Sequence, residues 1–188
     1  MVQWRRTGIL FLVLLILVGV AFFVTKHAPP VEPTPTSWPP VFHIPLSDVV
    51  AVDVYKGDAH VRLVHDEGGW RIEAPDAATA DDDEVERRLR SFLLSVAFDR
   101  FTPTTLEEYG LASPQARIVL DTGEQQVTVR VGDVNPTNTD YYIQVQGEDT
   151  VAVVGKYAVD RILEWVDHPP LPPTPTPTVT ITPQTGGE

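Results

Sequence analysis

The densest group of potential ligands in the sequence is acidic: Asp76, then Asp81, Asp82, Asp83, Glu84 and Glu86. Clustered carboxylates are hard oxygen donors of the kind calcium takes. These lack the D-x-D-x-D-G alternation of a calcium loop. Acids are also favoured at a helix N-terminus by its dipole, whether or not a cation binds. A second group is His43, His60 and His65. His60 and His65 are an odd number of residues apart, so a regular strand points them to opposite faces and they do not converge on a metal. Ser91 and Ser95 fall in a helical pattern, not on the G-x-S-x-G turn that exposes a nucleophile. Tyr141 and Tyr142, with Asn135-Pro136-Thr137-Asn138, could line a binding surface, although strand and loop packing accounts for the same residues. The sequence contains no Walker loop and no dinucleotide-binding fingerprint. It contains no cysteine, which removes thiolate catalysis, thiolate-ligated zinc, disulfides and lipidation at cysteine together. No catalytic, cofactor-binding or metal-ligating residue is assigned, and the expectation is a protein that is not an enzyme.

The elements around these residues change period along the chain. Asp48 to Tyr55 is rich in β-branched residues, Ala59 to His65 alternates, and Trp70 to Glu73 follows a Gly68-Gly69 turn. Strands this short, joined by glycine turns, predict an antiparallel meander. From Asp81 to Val96 the apolar residues Val85, Leu89, Phe92, Leu93 and Val96 recur at helical spacing. Asp81 suits the N-cap, and Glu84 completes a capping-box spacing. Arg87, Arg88 and Arg90 are expected on the outer face, paired with acids one turn earlier. A helical turn closing at Gly110 leads to strands at Ala116–Asp121, Gln126–Val131, Tyr141–Gln146 and Thr150–Val154. A last helix, Tyr157–Val166, presents Val159, Ile162, Leu163 and Val166 inward. The order is βββα followed by ββββα, an α+β domain with helices packed on antiparallel sheets.

The flanks are of different kinds. Gly8 to Val24 is a run of 17 uncharged residues. With Thr25 it approaches the roughly 20 residues that span a bilayer. Arg5 and Arg6 precede it, and an excess of positive charge marks the cytoplasmic side. A single-pass anchor through the lipid bilayer at residues 8–25 is expected, with the N-terminus cytoplasmic and the domain extracytoplasmic. A cleaved signal peptide would carry a shorter apolar region and a small-residue cleavage site, which Pro29 and Pro30 disfavour. Ala28 to Pro40 contains six prolines in 13 residues and suits an extended spacer. Pro169 to Pro183 alternates proline and threonine and suits a disordered, solvated tail. The expected parts are thus 1–27 anchor, 28–40 linker, 41–168 domain and 169–188 tail. Of the formal charge of −12, the first 27 residues carry +3 and the remainder −15. Such a domain repels nucleic acid and anionic lipid surfaces, so no nucleic-acid partner is expected.

Several short motifs carry a family likeness. They are Trp70-Arg71-Ile72, Pro75, Ala80-Asp81 opening a helix, Tyr109-Gly110-Leu111 with Pro114 before a strand, and Val131-Gly132 ending the next strand. With them the chain resembles the DUF4340 family over roughly residues 45 to 166. The resemblance implies a bacterial envelope protein with an N-terminal membrane segment, in some members associated with ABC-transporter systems. It implies no catalytic residue. Many relatives repeat the domain, whereas this chain holds one copy. Trp70 suits a core anchor, Gly110 a left-handed helix stop, and Gly132 a strand end with positive φ. The expected function is a membrane-anchored accessory or protein-interaction domain. The alternative is a stalk-mounted module for a small ligand or glycan.

Overall fold

A computed structural model describes residues 40–173. The anchor expected at 8–25, the linker through residue 39 and the tail beyond residue 173 lie outside the described residues. Among the described residues no helix is long and apolar enough to cross a membrane.

The first meander forms where the turn chemistry places it. β1 (Ala51–Lys56), β2 (Ala59–Asp66) and β3 (Gly69–Ala74) are joined at Gly57, φ 58°, and Gly69, φ 105°. A two-residue strand β4 (Ala78–Thr79) precedes α1 (Asp82–Leu93). There follow β5 (Ala97–Phe101), β6 (Ala116–Asp121), β7 (Gln126–Val134), β8 (Asp140–Val145), β9 (Val151–Gly155) and α2 (Lys156–Asp167). All nine strands join one antiparallel sheet in the order β4-β3-β2-β1-β6-β7-β8-β9-β5. The α+β class holds, with one correction. The two strand groups share a single sheet, because β1 pairs with β6 as well as with β2. Two strands were not expected. β4 is too short to show a period. β5 (AFDRF) buries only Ala97 fully and is broken by a register shift between Ala97 and Asp99, so it lacks the alternation that marks a strand.

Both helices pack on one face of the sheet. Val52, Val54, Leu63, Ile118, Leu120 and Ile143 from the strands meet Leu89, Phe92, Ile162 and Trp165 in one continuous core. Trp70 is 4% exposed in that core, and its backbone N–H donates to Asp82 Oδ1 at 2.6 Å. β3 is thereby pinned to the first turn of α1. In α1 the expected stripe of Val85, Leu89, Phe92 and Leu93 is buried. Val96 lies beyond the helix, in an isolated bridge to Pro40, because the last turn closes early with Ser95 N donating to Phe92 O at 3.0 Å. In α2, Val159, Ile162 and Leu163 are buried as expected. Trp165, outside that stripe, is also buried, while Val166 is only partly so. The helix touches both the sheet and α1, and two partners widen its apolar arc.

Three local expectations are corrected. Asp81 does cap α1, accepting from Glu84 N at 3.0 Å, but the reciprocal half of the capping box is absent. The Asp81 N–H donates instead to Pro170 O at 2.8 Å, so residues 169–170, expected in the tail, dock on the domain. Arg88 does not lie on the outer face. It sits between the helices, donating to Arg161 O at 2.6 Å and reaching Glu164 at 3.2 Å, and it pairs with Glu84. Gly132 has no positive φ and lies within β7. A Cβ there would collide with the carbonyl oxygen of Tyr109 and stand 2.9 Å from Leu111 Cγ, so close approach, not backbone conformation, is what requires glycine. Gly110 does take the left-handed conformation, φ 67°.

Candidate functional site

The topology gives the two faces of the sheet different fates. Between β4 at one edge and β5 at the other, the chain crosses the helix-covered face through α1. From β5 it must return to β6 in the middle of the sheet, and it does so over the opposite face as residues 102–115. Leu111 from this segment is fully buried. Tyr109 packs its ring 4.9 Å from Tyr142 and 5.0 Å from Phe101. That half of the second face is closed by aromatic packing.

The other half, over β3, β2, β1 and β6, carries charge. Arg71 pairs with Asp66 and Glu73 at 2.8 Å each. Arg62 joins Glu73 at 3.2 Å to Asp53 at 2.5 Å. Asp53 is only 6% exposed and also bonds His60 Nε2 at 2.8 Å. The Gly68 N–H and the Arg71 guanidinium hold the Asp66 carboxyl below its ordinary range, and Asp66 in turn raises Arg71. The Gln126 amide and the Gly123 N–H lower Asp121. An aspartate–histidine pair is half of a general-base device. Among the described residues no hydroxyl bonds to His60, whose ring stacks on Tyr55 at 4.3 Å. The pair satisfies a buried carboxylate, which is a structural task.

Strand register then extends this group into a row. His60 stands opposite Tyr55, Tyr55 opposite Arg117, Arg117 opposite Arg130, and Arg130 opposite Gln144. Residues that are register partners share a face. The Arg117 guanidinium lies over the Tyr55 ring, 4.4 Å from its centroid. Gln144 is 7% exposed, donates to Glu148 O at 2.9 Å, and leaves its Oε1 without a partner.

The residues singled out from sequence are dispersed over the fold. Glu84 pairs with Arg87, Arg88 and Arg161, and Glu86 with Arg90 at 3.6 Å; with Asp81 capping and Asp82 holding Trp70, four of the six acids in the run have structural roles. His65 packs on Trp70 at 5.0 Å, on a different strand from His60's partner Asp53. Among the described residues no three His, Asp or Glu side chains are placed to hold a metal. Ser91 lies in α1, but Ser95 falls just past its end and donates its Oγ–H back to Ser91 O at 3.2 Å. The Asn135 side chain organises its own loop, accepting from Thr137 Oγ1 and Thr139 N at 3.0 Å each. Tyr141 and Tyr142 separate. The hydroxyl of Tyr141 donates to Asp160 at 3.0 Å, and burial followed by that carboxylate raises its pKa. Tyr142 joins the aromatic cluster on the opposite face.

A domain of unknown function, DUF4340, matches residues 70–185, more than half of the 188. The chain belongs to the DUF4340 family. The matched span starts at Trp70, so β1 and β2 precede it, although both pair into the same sheet as the DUF4340 strands. It also runs past α2, consistent with the docking of Pro170. Comparisons with curated proteins and with solved structures give no match.

Sequence reasoning missed Asp53, Tyr55, Arg117 and Arg130. Their signal was present, since each is a polar or aromatic residue at a strand position facing away from the apolar stripe. Only the pairing of β1 with β6 reveals that they form one row. A second surface feature is an apolar depression formed by Phe42, Ile44, Leu46, Leu93 and Leu94, with Arg90 at its rim. Leu94 is 69% exposed there.

Proposed function

We propose that this DUF4340 chain is a membrane-anchored extracytoplasmic accessory domain that binds another envelope protein, within an ABC-transporter-type complex. The observation that supports an interaction role is the second face of the sheet, half closed by residues 102–115 and half left as a broad polar and aromatic surface. Asp53, His60, Asp66 and Glu84, which could do acid–base work, are engaged in ion pairs that hold the fold. Broad, shallow surfaces suit proteins, whereas small ligands are usually enclosed in concave sites. The sequence supports the anchor through its uncharged run at Gly8–Val24 and the preceding Arg5 and Arg6. The alternative is a stalk-mounted module for a small ligand or glycan, favoured by the apolar depression at Phe42 and Leu94.

The test is to wash native membranes with alkaline carbonate, solubilise them in mild detergent and size the full-length chain. Retention through the wash, followed by elution in a complex larger than its own micelle-bound monomer, is expected. Release by the wash, or elution as a lone monomer, would overturn the reading.

A further inference from the structure

Of the 11 lysines and arginines among the described residues, eight form salt bridges: Lys56, Arg62, Arg71, Arg87, Arg88, Arg90, Lys156 and Arg161. Arg100 donates to the Pro40 carbonyl instead. Arg117 and Arg130 are left without an acidic partner among the described residues, and they are register partners of one another. In a domain so rich in acid this is unexpected on stability grounds. Like charges directly opposite in an antiparallel pair repel, and carboxylates are abundant nearby.

We propose that Arg117 and Arg130 form a carboxylate-reading centre on the open sheet face, and that its occupant is an acidic segment of a partner protein. This deepens the accessory-domain reading and rests on it. Opposed residues of an antiparallel pair have their Cα atoms about 4.5–5.5 Å apart, so two guanidinium forks can clamp one carboxylate or receive two neighbouring ones. On one side stand the Tyr55 and His60 rings, stacked on each other, with Arg117 over the Tyr55 ring. From His60 on β2 to Arg130 on β7 the row crosses four strands, about 14 Å at the usual strand spacing. That length fits an extended peptide better than a small anion. Tyrosine and arginine are also the residue types that most often anchor protein interfaces.

The remaining charge narrows the occupant. Beyond residue 27 the chain carries −15, so a densely charged polyanion or an anionic bilayer is repelled over the rest of the surface. A second copy docked face to face about a two-fold axis would bring the same arginines together. A segment with one or two carboxylates and a nearby apolar group meets neither obstacle.

The test uses the full-length chain in detergent micelles. The probes are a fluorescent 12-residue glycine-serine peptide carrying two glutamates and one phenylalanine, and the same peptide with glutamine for glutamate. Polyphosphate and phosphatidylglycerol vesicles represent the other anion classes. Binding of the acidic peptide, weakened roughly tenfold by Arg117→Gln or Arg130→Gln and unchanged by Arg100→Gln, is expected. Equal binding of the neutral peptide, unaltered affinity in Arg130→Gln, or a preference for polyphosphate or vesicles would overturn the proposal. Urea unfolding of the same variants adds a readout that needs no ligand. An unchanged or higher midpoint in Arg130→Gln supports a pair kept for binding, and a lower one assigns it to stability and overturns the proposal; Arg117→Gln also gives up its contact over Tyr55 and is not scored this way. A chain found to lack an anchor would defeat the membrane reading while leaving both of these results standing.

Discussion

The backbone amide of Asp81 donates to the carbonyl oxygen of Pro170 across 2.8 Å. Asp81 is the N-cap of α1 and Pro170 follows α2, so this bond fastens the end of the domain to the start of its first helix. Pro170 is itself buried. A fragment covering residues 38–168 loses both the acceptor and the cover. Its stability is expected to fall below that of residues 38–173 by about 1–3 kcal/mol, the cost of leaving a buried donor unpaired. Urea unfolding of the two fragments measures the difference, and equal midpoints would show that Pro170 merely rests on the surface.

Trp70 and Glu86 separate core from surface in the same region. Trp70→Ala removes a side chain 4% exposed beneath α1 and is expected to cost about 3–5 kcal/mol. Against a total of about 5–15 kcal/mol the domain would be marginal or unfolded. Glu86 is exposed and holds Arg90 only at 3.6 Å, so Glu86→Ala should cost under about 0.5 kcal/mol. Equal, small losses from both changes would place the core elsewhere.

Two glycines test two different reasons for glycine. Gly57 has φ 58° and open space, with nothing within 4 Å of where a Cβ would stand, whereas Gly132 has an ordinary φ and no room. Gly57→Ala is expected to cost about 1–2 kcal/mol from backbone strain, and Gly57→Asn less, because asparagine tolerates that conformation. Gly132→Ala is expected to cost about 1–3 kcal/mol from overpacking, with no relief from Gly132→Asn. Rescue of position 132 by asparagine, read by thermal unfolding, would contradict the steric explanation.

Acid should weaken the domain through specific carboxylates. The Gly68 N–H and Arg71 lower Asp66, Gln126 and the Gly123 N–H lower Asp121, and Lys56 lowers Asp167. A folded pKa below the unfolded one adds stability that is complete above the unfolded value and is lost as pH falls through the folded value. The urea midpoint should therefore drop between about pH 5 and pH 3, and more shallowly when all three residues are replaced by asparagine. Asp66 and Asp167 are exposed and Asp121 half-buried, so added salt should blunt the effect. An unchanged acid slope in the triple variant would assign the acid sensitivity to other groups.

Much of the fold was legible because its signals are local. Glycine turns at Gly57 and Gly69, the helical spacing of Val85, Leu89, Phe92 and Leu93, and the left-handed stop at Gly110 each act within a few residues. What could not be read depends on long-range partners. Arg88 faces outward by helical spacing alone but lies against α2, 73 residues away in sequence from the Arg161 carbonyl it bonds. Gly132 needs the segment that folds over it, and the pairing of β1 with β6 has no local signature. The candidate surface was hidden for the same reason. Arg117 and Arg130 are ordinary polar strand positions until β6 and β7 are laid side by side.

The most direct test of a membrane-tethered outer domain is protease accessibility. Trypsin added to intact spheroplasts carrying the full-length chain should remove the acidic domain while a cytoplasmic marker survives. A domain cut only after the membrane is lysed would place it on the cytoplasmic side and contradict the assignment.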